Sequence, residues 1–146
     1  MTVSPAPQGL ATGAGRPYYS GMNAYLLVGL GGALGAMGRF GVGNWIGPLK
    51  SGFPVPTLLV NVLGSVAMGL LIGVLMRTTP QHQSEIRLFL AVGVFGGFTT
   101  FSSFSLDAIT LVERGNLGLA GLYVVGSVLL GLAGLWAGMS AIRVIL

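Results

Sequence analysis

Hydrophobic residues are concentrated in four long segments, and the polar residues between them form short connections. The segments run roughly over residues 24–46, 57–76, 88–112 and 118–142. Each has the length of about 20 residues that an α-helix needs to cross the roughly 30 Å hydrocarbon core of a bilayer. The pattern therefore predicts an all-α membrane protein with four transmembrane helices over residues 24–146.

The beginning of the chain has a different character. Residues 1–23 are polar and small and include Pro5, Pro7 and Pro17. They lack the basic segment followed by an apolar segment that is typical of a signal peptide. We predict that they form a flexible N-terminal extension.

The composition excludes most kinds of catalytic site. Only 7% of the residues are charged, whereas an ordinary soluble domain has about 25%. There is no cysteine and one histidine, which excludes disulfides, thiolate catalysis and zinc sites built from cysteine or several histidines. The three acidic residues, Glu85, Asp107 and Glu113, are scattered along the chain. We therefore expect a protein that is not an enzyme, that lies in a lipid bilayer and that has no nucleic-acid partner.

The basic residues give only a weak preference for one orientation in the membrane. Four spans put both termini on one side, and a membrane protein usually keeps its loop Lys and Arg residues on the cytoplasmic side. The terminal side carries Arg16, Arg77, Arg87 and Arg143, and the other side carries Lys50 and Arg114, with Arg39 if it reaches outward. Two alternatives follow: a single orientation, or dual topology with inverted copies meeting in an antiparallel dimer.

The 26 glycines are far more than an average chain carries. In the first span glycine recurs every three residues from Gly29 to Gly38, and three pairs have GxxxG spacing: Gly31 and Gly35, Gly69 and Gly73, Gly134 and Gly138. Small residues let membrane helices approach closely, so we interpret most of these glycines as packing positions. The pair Gly96-Gly97 differs because a polar stretch follows it.

Polar residues recur inside all four spans. Thr57, Asn61 and Ser65 share one helix face, and Tyr123 and Ser127 are also four residues apart. A lone Ser or Thr in a helix commonly bonds to a carbonyl of its own helix, and Asn61 could instead join two helices. Amides, hydroxyls and the guanidinium of Arg39 are all hydrogen-bond donors, however, and acids are nearly absent. Such a set favours an anion pathway over a cation pathway.

The third span predicts a break in its helix. Gly96 and Gly97, followed by two threonines, form helices poorly. A break would free backbone carbonyls, which are good ligands for hard cations. Phe101 and Phe104 lie on one face beyond it, and the positive edge of a phenyl ring could replace water around a small anion. The alternative for both rings is packing against lipid or the protein core.

Three motifs resemble those of the CrcB/Fluc fluoride channels. Residues 96–105, GGFTTFSSFS, are similar to the GG-x-TTFSTFS signature of that family. Residues 32–39 resemble its G-x-x-GA-x-x-R motif and residues 57–65 its TL-x-VN-x-x-G-S motif. The resemblance covers residues 24–146. The chain departs from the family pattern at Phe40, Pro56, Ser103 and Asp107, where Tyr, Gly, Thr and Glu are usual.

The resemblance implies a channel that passively exports fluoride across the bacterial inner membrane, the plasma membrane of the cell. It also implies an antiparallel dual-topology homodimer with two pores and a structural sodium ion (Na+) at its centre. The backbone carbonyls of Gly96 and Thr99 would hold the ion. The fluoride pore would include Asn61, Phe101, Phe104, Tyr123 and Ser127, supported by a polar track of Arg39, Thr57, Ser65, Thr100, Ser102, Ser103 and Ser105.

Two other functions remain open on the sequence alone. A small dual-topology multidrug-type exporter would need a glutamate buried in its first span, and this first span contains no acid. A non-transporting membrane scaffold would explain the glycine pairs. It would leave the polar sets around Asn61, Thr99 and Tyr123 without a role.

Overall fold

The computed structural model describes residues 21–47, 52–78 and 80–145. Most of the predicted extension over residues 1–23 lies outside this part of the chain, as do Arg16 and Lys50. All regular structure in the described part is helical. The elements are α1 (Met22–Ile46), α2 (Val55–Arg77), α3 (Gln83–Ile86), a π-helical segment (Arg87–Phe95), α4 (Gly96–Phe98), α5 (Phe101–Glu113) and α6 (Leu117–Ile145).

The prediction of four membrane-spanning segments is confirmed. Helices α1, α2 and α6 and the stretch Gln83–Glu113 are long and apolar enough to cross a bilayer. The chain is a multi-pass membrane protein. Its helices extend beyond the hydrophobic segments, since α1 already begins at Met22, inside the predicted extension, and α6 continues to Ile145. Polar residues extend these helices beyond their hydrophobic segments, so hydrophobicity alone predicts helices that start too late or stop too early.

The connections between spans are short and stop each helix by backbone geometry. Gly47 ends α1 with a φ of +66°, and its N–H donates to the Gly43 carbonyl at 3.0 Å. Gly115 takes a φ of +76° directly after α5. Residues with a side chain rarely adopt such values, so glycine suits both turns. Past the end of α2, the Gln83 side chain donates to the Leu75 carbonyl at 3.0 Å and satisfies one of the last carbonyls of that helix.

Helices α2 and α6 pack along each other through glycines. A Cβ atom at Gly69 would overlap the backbone carbonyl of Leu135, and one at Gly138 would overlap the carbonyl of Val66. Cβ atoms at Gly73 and Gly134 would also press on the facing helix. Helix backbones in this pair thus approach as closely as glycine allows, and the packing interpretation of these two GxxxG pairs is confirmed.

Helix α1 packs against the first half of the third span in the same way. A Cβ atom at Gly31 would overlap the Phe89 carbonyl, and one at Gly35 would overlap the Val94 carbonyl. Within the described chain, by contrast, a Cβ atom at Gly29 would meet nothing within 4 Å. Only some glycines of the first span therefore serve close packing against another helix of the described chain.

The protein interior is small for a chain of this length. Leu111, Ala120 and Tyr123 form a buried cluster where α5 meets α6, and Phe53 and Phe104 pack against it. Large apolar side chains elsewhere are exposed, among them Leu30 at 63% and Trp136 at 69%. An outer surface this apolar suits lipid or another protein surface. The buried cluster fixes α5 beside α6, which positions the polar residues described next.

Candidate functional site

Two residues of the third span have extended backbone between α4 and α5. Thr99 has φ −76° and ψ 158°, and Thr100 has φ −153° and ψ 119°. Gly96 and Gly97, which the sequence marks as weak helix formers, remain helical. Gly97 lies against the backbone of Gly32 in α1, where a Cβ atom would not fit. The non-helical residues are thus the threonines, and Gly97 serves close packing.

The Asn61 side chain binds the backbone of Thr100 with both ends of its amide. Its Nδ2 donates to the Thr100 carbonyl at 3.1 Å, and its Oδ1 accepts from the Thr100 N–H at 2.8 Å. Asn61 therefore joins α2 to the extended residues of the third span. This is the helix-joining alternative for Asn61, and it uses only one of the two N–H donors on the amide nitrogen.

Two backbone N–H groups near the threonines do not make the hydrogen bonds of a continuous helix. In a continuous helix the N–H of Thr100 would donate to the Gly96 carbonyl four residues earlier. Here that N–H donates to Asn61. The N–H of Ser103, which would reach the Thr99 carbonyl, donates to Thr100 Oγ1 at 3.2 Å. The carbonyls of Gly96 and Thr99 have thus both lost their usual helical donor.

Thr100 caps the start of α5 with its hydroxyl. Besides accepting from the Ser103 N–H, its Oγ1 lies 3.2 Å from the hydroxyl oxygens of both Ser102 and Ser103. A threonine at this position typically satisfies an N–H of the first helical turn. Thr100 is also the buried polar residue of the described chain, with 8% of its surface exposed. The predicted hydroxyl cluster at residues 100–103 is therefore a compact network around one buried threonine.

The serines of the predicted polar track differ in how their hydroxyls are used. Ser65 donates to the Asn61 carbonyl at 2.8 Å and Ser105 to the Phe101 carbonyl at 2.9 Å, each within its own helix. Thr99 likewise donates to the Phe95 carbonyl at 2.9 Å. The Ser127 hydroxyl is buried and has no hydrogen-bond partner. Ser127, which belongs to the predicted pore set, is thus a residue whose buried hydroxyl makes no hydrogen bond within the described chain.

Four aromatic rings form a row from the third span to the residues just before the start of α2. The rings of Phe101 and Phe104 are 5.6 Å apart, and those of Phe104 and Tyr123 are 5.3 Å apart. Phe53 meets Tyr123 edge to face at 5.6 Å. Phe101 is 79% exposed, whereas Tyr123 is fully buried. The row therefore begins at an open surface and ends in the buried cluster.

The Tyr123 hydroxyl is directed away from Ser127, although the two residues are four apart. It donates to Oδ2 of Asp107 at 3.3 Å. The pocket that contains Ser127 is lined by Asn61, Phe101 and Phe104 but not by Tyr123. The structure therefore places Tyr123 beside an acid and under a phenylalanine of the candidate pore, and outside the pocket itself.

A series of four pockets runs past these residues, and each pocket shares lining residues with the next. The first, of about 380 Å³, includes Thr57, Asp107 and Arg114 at the end where α1 and α5 finish. The second, of about 100 Å³, joins it at Thr57 and adds Arg39, Thr100 and Ser103. The third, of about 240 Å³, includes Asn61, Ser65, Thr99, Thr100 and Phe101, and the fourth, of about 140 Å³, ends at Ser127.

The polar groups along this series are mainly donors. Arg39 is half-buried and faces a pocket that also contains the hydroxyls of Thr57, Thr100 and Ser103. Arg114 stands at the wide first pocket with Asp107. Within the described ranges there is no cluster of three His, Cys, Asp or Glu residues that could hold a metal ion.

Sequence reasoning missed two contributors to this site. Gly64 faces Thr99, because a Cβ atom at Gly64 would overlap the Thr99 methyl group. Its position three residues after Asn61 on the same helix was the available signal. Arg114 lines the first pocket, and its place at the end of a span gave no indication of this.

A family model described as "CrcB-like protein, Camphor Resistance (CrcB)" matches residues 26–139. The chain belongs to the CrcB family. The match extends from the first turns of α1 to the last turns of α6 and confirms the resemblance inferred from the three motifs. The matched residues therefore include the extended Thr99 and Thr100, the row of aromatic rings and the lining of all four pockets.

Curated relatives agree with this assignment over most of their length. A "Fluoride-specific ion channel FluC" of Rhodopseudomonas palustris (strain BisB5) is 52% identical over 122 residues, which cover 83% of this chain and 98% of the relative. Proteins of the same name from Rhodospirillum centenum and Thermus thermophilus are each 51% identical, over 126 and 113 residues. The matched residues cover 84% and 77% of this chain, and 97% and 87% of the two relatives' own lengths. These relatives are named as ion channels, which are not enzymes.

Proposed function

We propose that this protein is a fluoride channel that lets the ion leave the cell passively and so lowers its cytoplasmic concentration. The observation that carries the proposal is the family membership, with relatives about half identical to this chain that are named fluoride-specific ion channels. The geometry of the described residues is consistent with this chemistry. Donor groups line a series of pockets, each of which shares lining residues with the next, and acidic groups are scarce along it.

The fourth pocket has the properties of a weak site for a small anion. Fluoride is strongly hydrated, and its removal from water requires donors that replace the hydration shell. The pocket offers the unpartnered hydroxyl of Ser127 and the second N–H of Asn61. Phe101 and Phe104 add ring edges, which carry partial positive charge. The described residues that line this pocket include no cationic side chain, so we expect a site there to bind fluoride weakly enough to release it.

The second and third pockets extend the route toward Arg39. Thr57, Thr100 and Ser103 line the second pocket together with Arg39, and Thr100 also lines the third pocket with Asn61. We propose that fluoride passes from the first pocket to the fourth along these groups, with Ser65, Ser102 and Ser105 beside the route. Several adjacent weak sites permit both entrance and exit, which conduction requires.

We propose that two copies of the chain complete the pore as an antiparallel, dual-topology homodimer. The pockets that contain Phe101 are open, and Phe101 itself is 79% exposed. A donor-lined groove open to lipid would leave polar groups without partners in hydrocarbon, at a cost of several kcal/mol each. A second copy would cover this face. The weak bias in basic residues is compatible with insertion in both orientations.

We further propose that the extended threonines form a break in the third span at membrane depth and that a structural sodium ion lies there. The carbonyls of Gly96 and Thr99 would hold it, and both have lost their usual helical donor. Oxygen atoms are suitable ligands for a hard cation, so the residues fit the ion. When bound, the ion supplies positive charge close to the anion route.

The proposed location is the bacterial inner membrane, where the physiology of fluoride gives a passive channel its use. Hydrogen fluoride crosses membranes as a neutral molecule and dissociates in the less acidic cytoplasm. The ion is then trapped inside. A channel would release it down its gradient, driven by the negative potential inside the cell.

Fluoride efflux from liposomes tests the proposal. Purified protein is reconstituted in vesicles loaded with potassium fluoride or potassium chloride, and efflux is started with a potassium ionophore and followed with ion-selective electrodes. We expect rapid fluoride release and hardly any chloride release above protein-free vesicles. Equal rates for the two ions would contradict fluoride selectivity, and no release of either would contradict channel function.

A further inference from the structure

We propose that Asn61 is a positioning residue for the cation site, because its amide holds the Thr100 backbone away from the Gly96 carbonyl. This inference rests on the sodium site proposed above. It assigns to Asn61 a task in addition to contact with the anion. The task would make the same side chain a link between the cation site and the fluoride route.

The contact has the geometry of a backbone pair. The amide of Asn61 accepts from the Thr100 N–H at 2.8 Å and donates to the Thr100 carbonyl at 3.1 Å. A side-chain amide carries an acceptor and a donor together, as a peptide group does. It can therefore satisfy both polar backbone groups of an extended residue that lacks helical partners. An aspartate could satisfy only the N–H, and a leucine neither.

The alternative arrangement is a continuous helix through Thr99 and Thr100. Its Thr100 N–H would donate to the Gly96 carbonyl, and that carbonyl would be directed along the helix. Both arrangements satisfy the Thr100 N–H, which in an apolar environment cannot remain unpaired without a cost of about 1–3 kcal/mol. Asn61 decides between them, since it is the side chain that receives this N–H in the extended arrangement.

Gly64 supports the same arrangement from the next turn of α2. Because it has no side chain, it leaves room for the methyl group of Thr99. Helix α2 therefore binds Thr100 through the Asn61 amide and accommodates Thr99 at Gly64. The Thr100 hydroxyl then caps α5 by accepting from the Ser103 N–H, which keeps that donor from the Thr99 carbonyl. The bond from Thr100 to Asn61 therefore leaves the Gly96 carbonyl free, and the cap made by the Thr100 hydroxyl leaves the Thr99 carbonyl free.

Direct sodium binding tests this role separately from fluoride flux. The full-length protein is purified in detergent without sodium, with N-methylglucamine as the cation, and binding of radioactive ²²Na+ is measured over a range of concentrations. We compare the unchanged protein with Asn61→Leu, Asn61→Asp and Ser65→Ala. Ser65 is the matched control, because it lines the same pockets one turn away but bonds only to its own helix.

We expect Asn61→Leu to weaken sodium binding about tenfold or more, as the loss of two hydrogen bonds implies. Asn61→Asp keeps the acceptor for the Thr100 N–H and is expected to lose less, so that sodium binding and fluoride flux fall in different proportions. Ser65→Ala should bind sodium as the unchanged protein does, whatever its flux. If Asn61→Leu does not fold, Asn61→Ala, which also lacks both the donor and the acceptor, takes its place in the comparison with Ser65→Ala.

Three results would overturn the inference, and they separate it from the proposed function. Equal sodium affinity in the unchanged protein and the Asn61 variants would refute the positioning role and leave the sodium site intact. A protein that conducts fluoride without binding sodium would refute both the site and the role of Asn61, but not the channel. A protein that neither binds sodium nor conducts fluoride would refute the proposed function as well.

Discussion

The hydroxyl of Tyr123 donates to Oδ2 of Asp107 at 3.3 Å and thereby links α6 to α5. Asp107 lines the widest of the four pockets, where Arg114 also stands. A carboxylate beside the route of an anion repels it, and a hydrogen bond to the carboxylate disperses part of that negative charge. Along the route proposed above, the bond between these residues would therefore affect conduction, although Tyr123 lies outside the pocket with the unpartnered serine.

We predict that Tyr123→Phe lowers fluoride flux by roughly threefold or more. The change keeps the ring between Phe104 and Phe53 but removes the donor to Asp107, which then presents its full charge to the first pocket. Initial rates of fluoride efflux from liposomes measure the effect. In the double variant Tyr123→Phe/Asp107→Asn the charge is absent, so flux should recover. Failure to recover would mean that the charge of Asp107 is not the cause of the reduced flux.

The spans and their motifs could be predicted from the sequence because they depend on local properties. Hydrophobic length fixes the number of helices that cross the bilayer, and GxxxG spacing correctly indicated contacts such as that of Gly138 with α2. The many hydrogen-bond donors among the residues that line the four pockets could also be predicted from residue types alone. The helix ends were less accurate, because polar residues such as Asn23 continue a helix beyond its apolar segment.

The pairings within the site could not be predicted, because they depend on which helices become neighbours. Asn61 bonds to a residue 39 positions away, and no spacing rule reports such a contact. Ser65 and Ser127 each follow another polar residue by four positions, but one donates to its own helix and the other has no partner. The sequence predicts that Gly97 breaks the helix, whereas in the structure Gly97 allows the backbone of α1 to pack closely against it.

We predict that Ser127→Ala and Ser65→Ala have different effects on flux. The buried hydroxyl of Ser127 has no partner, so its removal takes a free donor from the fourth pocket, whereas Ser65 already donates to a backbone carbonyl. We expect Ser127→Ala to reduce fluoride flux about tenfold, the effect of losing about 1.4 kcal/mol of stabilisation. We expect Ser65→Ala to reduce it by less than about threefold, the range of a donor already satisfied.

Stability provides the control for the serine pair. Removal of an unsatisfied buried polar group costs nothing and can stabilise, so Ser127→Ala should be at least as stable as the unchanged protein in thermal unfolding followed by size-exclusion chromatography. A large loss of stability would show that the hydroxyl has a structural partner. In that case its reduced flux would not report on the anion.

Substitutions at Phe101 and Phe104 should separate effects on stability from effects on conduction. Phe104 packs against Tyr123 in the buried cluster, while Phe101 is 79% exposed. We predict that Phe104→Ala lowers the free energy of unfolding by about 2 kcal/mol, since its ring is only partly buried. In a single chain Phe101→Ala should change it by less than about 0.5 kcal/mol, so a larger loss would indicate that a second copy covers this ring. Unfolding with sodium dodecyl sulfate measures both.

Phe101→Ile isolates the contribution of the ring itself. It keeps an apolar side chain of substantial size but removes the positively polarised ring edge. We expect it to lower fluoride flux about tenfold, the effect of about 1.4 kcal/mol, with little change in stability. Normal flux in Phe101→Ile would show that this position supplies only bulk, and that the anion is stabilised by the hydroxyls and the Asn61 amide.

The contact between Gly64 and Thr99 gives the last prediction. A Cβ atom at Gly64 would overlap the Thr99 methyl group, so Gly64→Ala must push Thr99 aside and shift the carbonyl that we propose as a cation ligand. Over-packing of this kind typically costs about 1–3 kcal/mol. We expect Gly64→Ala to lose most fluoride flux and to be less stable, as measured by efflux and by thermal unfolding in detergent.

The second substitution Thr99→Ser tests whether that single overlap is the cause. Serine lacks the methyl group that the new Cβ atom would meet, but it keeps the hydroxyl that donates to the Phe95 carbonyl. The pair Gly64→Ala/Thr99→Ser should therefore regain flux and stability together, while Thr99→Ser alone should change both only slightly. Recovery requires that α2 and the third span meet at these two residues in the functional protein. If the pair remains as defective as Gly64→Ala, the added methyl group disturbs another neighbour, and Phe98, whose ring also borders Gly64, is the first to examine.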